Sequence, residues 1–381
     1  MNENEKRIIT VLNQRGPSTR KEISAACGIS WAAAVKLVNR LSAQGMIRCL
    51  GESTQKTENG KTSRIYDIAE LQPLAIGIDI EYGHTTITAQ NLKYRLYYSE
   101  IAATPQNPTM EEVVVFLAGL VERCRKDLAG RNLWVEGVGV GIPGLLIPSG
   151  GPPFDRVADA LSRACSLPVV ADNNIRAYTL YLQKQSGNGG SFAVFIIRKG
   201  IGAGITLGGK LFRGYSGLAG ELGHLPIDSE GPRCRCGKRG CVEAYFNQRE
   251  IARSWAEAAG ISRLAGQEEQ DERRLVEELF SEAAEGNPRA LSLLKEKAAY
   301  LVPAIAGLLL SFDIENIMIS GHFGPRGEVL IPILNEGLAQ AVSSRFHYSL
   351  NYRQIKNEGF AIGATMLFLN KYYDYTVLAE H

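Results

Sequence analysis

His224, Cys234, Cys236 and Cys241 have the types and spacing of a tetrahedral metal site. Three thiolates and one imidazole fill the coordination sphere of zinc and leave no position open, which is how structural rather than catalytic zinc is held. Gly237 and Gly240 interrupt the cysteines, and glycine lets the backbone turn tightly enough for the three thiols to converge. The alternatives are unliganded buried thiols, against which the spacing speaks, and a disulfide, which would leave one of the three cysteines unpaired.

The chain that must position this set has 381 residues, enough for two or three domains at about 100–200 residues each. With 45% hydrophobic and 22% charged residues it reads as globular, and no run approaches the roughly 18 consecutive apolar residues of a membrane span. It opens Met-Asn-Glu-Asn-Glu-Lys-Arg, without the apolar run of a secretory signal, so a cytoplasmic location and no membrane partner are expected. In that reducing compartment the seven cysteines are candidates for metal or burial. The net charge of +2 is uneven, because residues 1–70 hold eleven Lys and Arg against seven Asp and Glu. A basic N-terminus fits a polyanionic partner or simply a solvated charged face.

Residues 1–70 read as three short helices and a hairpin. Ile8, Ile9, Val11 and Leu12 mark the first helix, and Ile23 and Ala26 the second. Gly28 turns the chain, and Ser30 caps a third helix, Trp31 to Gln44, with Ala34, Leu37, Val38 and Leu41 at helical spacing. A strand from Met46 to Leu50, an Asn59-Gly60 turn and a return strand from Ser63 to Ile68 complete a winged helix-turn-helix. In a DNA-binding reading, Ser30, Trp31, Ala33, Lys36 and Arg40 on the third helix face the major groove. Arg48, Lys56, Lys61 and Arg64 on the wing neutralise phosphates. The competing reading is a winged helix that binds only protein.

Pro73 ends this segment. Leu74 to Ile80 reads as a buried strand, followed by a hairpin through Thr85 to Gln90 and a strand near Tyr94 to Ile101. A helix from Met110 to Leu128 leads to strands at Val135 to Ile142, Leu167 to Ala171 and Phe192 to Ile197. Pro303 to Leu310 and Gly363 to Lys371 are helical, and Arg263 to Glu285 reads as an exposed helix pair. This alternation predicts an α/β fold in two lobes.

The run Gly202-Ala203-Gly204-Ile205, Gly208-Gly209-Lys210-Leu211, Arg213-Gly214 and Gly217 to His224, followed by the stretch Cys234 to Glu243, resembles the ROK family of repressors and sugar kinases. The resemblance runs from about Ala75 to the C-terminus, and the module in front resembles the family's repressor branch. It implies an actin-like ATPase (RNase H-like) fold over 74–381 behind a DNA-binding domain at 1–70. Lobe one would take about 74–185 plus a C-terminal helix at 363–381, and lobe two about 186–362. It further implies a homodimer or homotetramer and a carbohydrate in the cleft. Carried over residue by residue, Asn173, Asn174, Glu221, His224 and Glu243 match sugar-hydroxyl ligands, with His224 also binding zinc through its other ring nitrogen.

The kinase elements of the family depart from pattern. Its phosphate loop reads Asp-x-Gly-Gly-Thr, whereas Asp79-Ile80-Glu81 puts a carboxylate where a glycine should admit phosphate. Its catalytic base is matched by Asn174, and an amide cannot accept a proton as a general base. Asp172 is the carboxylate that a one-residue shift would restore. Leu145 to Arg156 lacks the family's Pro-Asn-Leu-x-x-Trp run. The expectation is a sugar-responsive regulator of carbohydrate genes, a repressor that binds operator DNA and holds structural zinc. A sugar kinase using ATP and a regulator answering to a protein partner are the rivals.

Overall fold

The computed structural model describes residues 1–56, 62–70, 73–81, 83–106, 108–143, 154–187, 190–261 and 269–373. They form two compact units, Met1–Ser186 with the C-terminal helix, and Gly187–Lys356.

The first unit begins with α1 (Glu3–Arg15), β1 (Ser18–Thr19), α2 (Arg20–Cys27), α3 (Trp31–Ala43), β2 (Ile47–Lys56) and β3 (Thr62–Ile68). Asn2 with Glu5 and Thr19 with Glu22 form capping boxes, and the Ser30 hydroxyl accepts from the Ala33 N–H. Of the apolar positions read from sequence, Ile8, Ile9, Val11, Leu12, Ile23, Ala34, Leu37, Val38 and Leu41 are buried, and Ala26 is half-buried. The wing's first strand is longer than the pattern predicts, because β2 bulges at Gly51 and goes on pairing as far as Lys56 with Thr62. β1 adds a third strand through Ser18 opposite Tyr66. The Asn59-Gly60 turn and Lys61 lie outside the described residues, as does the side chain of Lys56.

Next come β4 (Leu74–Ile80), β5 (His84–Asn91), β6 (Leu96–Ala103), α4 (Met110–Ala129), β7 (Val135–Ile142), α5 (Phe154–Cys165), β8 (Val169–Asn173) and α6 (Asn174–Ser186). The sheet order is β6-β5-β4-β7-β8, with β4, β7 and β8 parallel. β4 is buried along its whole length, which explains its unbroken apolar run. The strand expected from Tyr94 starts at Leu96 instead. The Asn91 side chain accepts from the N–H groups of Lys93 and Arg95, and Tyr94 takes φ +60°, so these residues turn rather than extend.

The second unit contains β9 (Phe192–Ile197), β10 (Ile201–Leu207), β11 (Lys210–Leu211), a 3-10 turn at Leu222–His224, and the helices α7 (Val242–Tyr245), α8 (Gln248–Ala259), α9 (Glu269–Ala284), α10 (Pro288–Ala299) and α11 (Val302–Phe312). β12 (Asn316–Gly321), α12 (Leu330–Ala341) and β13 (Ser349–Gln354) close it, in sheet order β11-β10-β9-β12-β13. The exposed helix pair expected at Arg263 to Glu285 is not seen among the described residues. α9 is one helix whose Leu275, Val276, Leu279, Phe280 and Ala283 enter the core, so its charges cover only the outer face.

The chain then returns to the first unit as α13 (Asn357–Tyr373). This helix lies so close on β7 that a Cβ added at Gly139 would sit 1.7 Å from the Ala364 carbonyl oxygen. Its far end reaches the N-terminal module. Phe368, Leu369 and Tyr373 share a core with Ile8, Ile9, Leu12, Leu37 and Ile68, and Thr10 Oγ1 donates to the Tyr373 carbonyl at 3.2 Å. Burying each such side chain contributes about 1.5–3 kcal/mol. No helix among the described residues is long and apolar enough to cross a membrane.

Candidate functional site

The 3-10 turn Leu222–His224 packs against β10 and delivers His224 to a short knuckle that follows. In the knuckle the Cys234 N–H donates to the Lys238 carbonyl at 2.8 Å, and the Gly237 N–H donates to the Cys234 carbonyl at 3.0 Å. Gly240 has φ +63°, and a Cβ there would lie 1.6 Å from the Asp228 carbonyl oxygen, so only glycine closes the loop.

The ligand atoms of His224, Cys234, Cys236 and Cys241 all lie within 4.8 Å of one another. Cys236 and Cys241 Sγ are 3.7 Å apart, and Cys234 Sγ is 3.5 Å from His224 Nδ1. A tetrahedral zinc with Zn–S of about 2.3 Å and Zn–N of about 2.0 Å requires separations of about 3.8 and 3.5 Å. Burial raises the thiol of Cys234 and pushes that of Cys241 up to about 12, whereas the Lys238 N–H lowers that of Cys236. Thiols that resist ionisation in an empty protein interior become thiolates when a cation compensates them. Geometry and donor chemistry therefore fit a closed zinc site.

His224 Nε2 points the other way and lies 3.8 Å from Glu221 Oε2, whose side chain is half exposed. Glu243 is buried and fully engaged. Its Oε2 accepts from the Ile201 N–H at 2.8 Å, and Arg235 donates to both oxygens at 2.5 and 3.0 Å. Arg235 was not singled out in the sequence, although it stands between two ligand cysteines.

In the first unit, Asn173 and Asn174 lie at the β8–α6 junction. Asn173 Oδ1 accepts from the Ile175 N–H at 2.8 Å, capping α6, and Asn174 is buried, its Nδ2 without a hydrogen-bond partner among the described residues. Asp172 Oδ1 accepts from the Asn173 N–H at 2.7 Å and from Arg176 Nε at 2.6 Å and Nη2 at 2.5 Å. Both side chains of this ion pair are almost fully buried. Asp79 and Asn174 flank Gly141, and the Glu81 N–H donates to the His84 carbonyl at the β4–β5 turn. Gly144 to Pro153, most of the stretch that lacks the family's Pro-Asn-Leu-x-x-Trp run, lies outside the described residues.

On the N-terminal module, Trp31 is 57% exposed and Lys36 and Arg64 are exposed, while Ala33 is half-buried. Arg40 is turned back to α1, where it pairs with the buried Glu5, and Arg48 pairs with Glu70 at 2.7 Å.

The profile of the ROK family matches residues 75–371, and that of a winged helix-turn-helix DNA-binding module matches residues 1–48. The chain is 23% identical over 369 residues to the xylose repressor of Caldicellulosiruptor bescii, covering 92% of each. It is 30% identical over 219 residues to the N-acetylmannosamine kinase of Escherichia coli, covering 57% of this chain and 70% of the kinase. The fold matches that of a ROK family transcriptional regulator, a homolog of the E. coli MLC protein, with a TM-score of 0.82 at 22% identity over 98% and 97% of the two chains.

Proposed function

The chain belongs to the ROK family, and from that premise we propose that it is a DNA-binding transcriptional repressor whose affinity for operator DNA is set by a carbohydrate. The observation that carries this reading is the core shared by α1, α3 and α13, in which Phe368 and Leu369 pack with Ile8 and Leu37. A DNA-binding module packed in this way on the first unit of the ROK domain moves with that unit. A ligand that binds one state of that unit better thereby shifts the DNA-binding equilibrium.

A kinase reading needs a free carboxylate at the β8–α6 junction. Asn174 is an amide, and Asp172 is locked to Arg176, so neither serves as a general base. A coupled ATP-consumption assay over a sugar panel tests this. Sugar-dependent turnover that Asp172→Ala abolishes would overturn the repressor assignment.

For the effector, each unit offers polar groups suited to sugar hydroxyls. Asn173 and the unpartnered amide of Asn174 do so in the first, and Glu221 with the Nε2 of His224 in the second. Glu243, bound by Ile201 and Arg235, serves to hold the loop that presents His224. Zinc on His224, Cys234, Cys236 and Cys241 would tie that loop together and fix the histidine ring. A cytoplasmic homodimer or homotetramer would set two recognition helices on half-sites one or two duplex turns apart.

A further inference from the structure

A cavity of about 640 Å³ opens on the N-terminal module between α3 and the wing strands, and its lining includes Arg20, Asn39, Ser42, Arg48, Arg64 and Tyr66. Three guanidinium groups border it, and no carboxylate among the described residues does. Two acidic residues beside these cations stand outside the lining: Glu70 pairs with Arg48, and Glu52 is opposite Arg64 in the β2–β3 register.

Arg20 is held in a fixed pose. Its guanidinium carbon lies 4.8 Å from the centroid of the Tyr66 ring, and its Nη2 donates to Asn39 Oδ1 at 2.6 Å. Arg20 Nε and Ser42 Oγ are both buried, and neither has a hydrogen-bond partner among the described residues. A buried donor left unsatisfied costs the desolvation of the group, so two of them in a basic cavity mark a place for an oxyanion. The location agrees. Asn39 is three residues beyond Lys36 on the outer side of α3, and residues three apart on a helix share a face. A duplex docked on that face brings its backbone past the cavity mouth.

We propose that this cavity seats a backbone phosphodiester of bound DNA, with Arg20 as its principal cation, Ser42 as a neutral donor, and Asn39 and Tyr66 holding the guanidinium in place. The proposal rests on the DNA-binding reading and names contacts outside those expected from the sequence. Arg20 takes the role for which Arg40, bonded to Glu5, is not placed.

The test is fluorescence anisotropy of the full chain on duplex DNA across a salt series. Each neutralised phosphate adds about 0.9 to the slope of log affinity against log salt. Arg20→Gln is expected to lower the slope by about that amount and to weaken specific and non-specific duplexes alike. Arg20→Lys is expected to keep the slope, as is Arg15→Gln on α1. Because Arg20 also packs on Tyr66, melting curves check that the variants fold, and Asn39→Ala supplies a second probe that frees Arg20 without removing charge. Asn39→Ala should weaken binding severalfold at an unchanged slope. An unaltered slope in folded Arg20→Gln, or unaltered affinity in Asn39→Ala, overturns the seat while leaving the DNA-binding reading intact. Stabilisation by inorganic phosphate that depends on Arg20, with the DNA slope unmoved, would assign the cavity to a free phosphate and also overturn it. Failure of the unsubstituted chain to bind any duplex at low salt would overturn both readings.

Discussion

Arg235 donates from Nε and Nη2 to the two carboxylate oxygens of Glu243, clamping a buried acid from a position between two ligand cysteines. Zinc loop and carboxylate are thereby tied into one unit. Arg235→Ala strands the carboxylate. Breaking a fully buried pair costs roughly 3–5 kcal/mol, and because Arg235 is 46% exposed the expected loss is nearer about 2 kcal/mol. Thermal melts with metal analysis on the same samples should show a lower midpoint and weaker zinc retention. An unchanged midpoint would mean that water replaces the guanidinium.

The Asp172–Arg176 pair is buried on both sides, so removing one partner is more harmful than removing both. Arg176→Met is expected to cost about 3 kcal/mol or more, and Asp172→Asn combined with Arg176→Met to recover most of that. Denaturation of the two variants side by side checks it. A loss in the double variant equal to the sum of the losses of Asp172→Asn and Arg176→Met alone would show that the pair is not coupled.

Zinc removal should act locally first. Cys236 is the exposed ligand of the four, and Cys236→Ser leaves the core of the second unit untouched. Its zinc content is expected to fall well below one per chain, with effector affinity lost before secondary structure. Normal ligand binding by a zinc-free variant would make the metal a bystander.

Helix α13 is expected to couple the stability of the sheet to that of the DNA-binding module. Gly139→Ala places a Cβ against the Ala364 carbonyl and should cost about 3 kcal/mol, with DNA binding lost as α13 shifts. Leu310→Ala, at a side chain 58% exposed, should stay within about 0.5 kcal/mol. Full DNA binding by Gly139→Ala would show that α13 transmits nothing to α1.

What the sequence disclosed follows from distance along the chain. The four metal ligands fall between residues 224 and 241, and their spacing alone predicts the cluster that the structure shows. The third helix was legible from Ser30 and the periodicity of Ala34, Leu37, Val38 and Leu41. Other features depend on partners that no local pattern specifies. The Thr10 contact with Tyr373 joins opposite ends of the chain. The charge-rich stretch before Glu285 reads as exposed because its polar face outnumbers the few core positions of α9. Asp172 and Arg176 are four apart, but the pairing becomes visible only once α6 is known to start at Asn174. Glu243 looks like a ligand by resemblance, and only the fold brings Ile201 and Arg235 to it.

In the proposed function, one chain couples carbohydrate binding to DNA binding. Fluorescence anisotropy of the full chain on DNA from upstream of its own gene, titrated with a sugar panel at fixed salt, tests it most directly. The expected result is saturable binding that one sugar weakens by about tenfold or more, a coupling of about 1.4 kcal/mol. Saturable binding that no sugar alters, or no binding to any fragment, would contradict it.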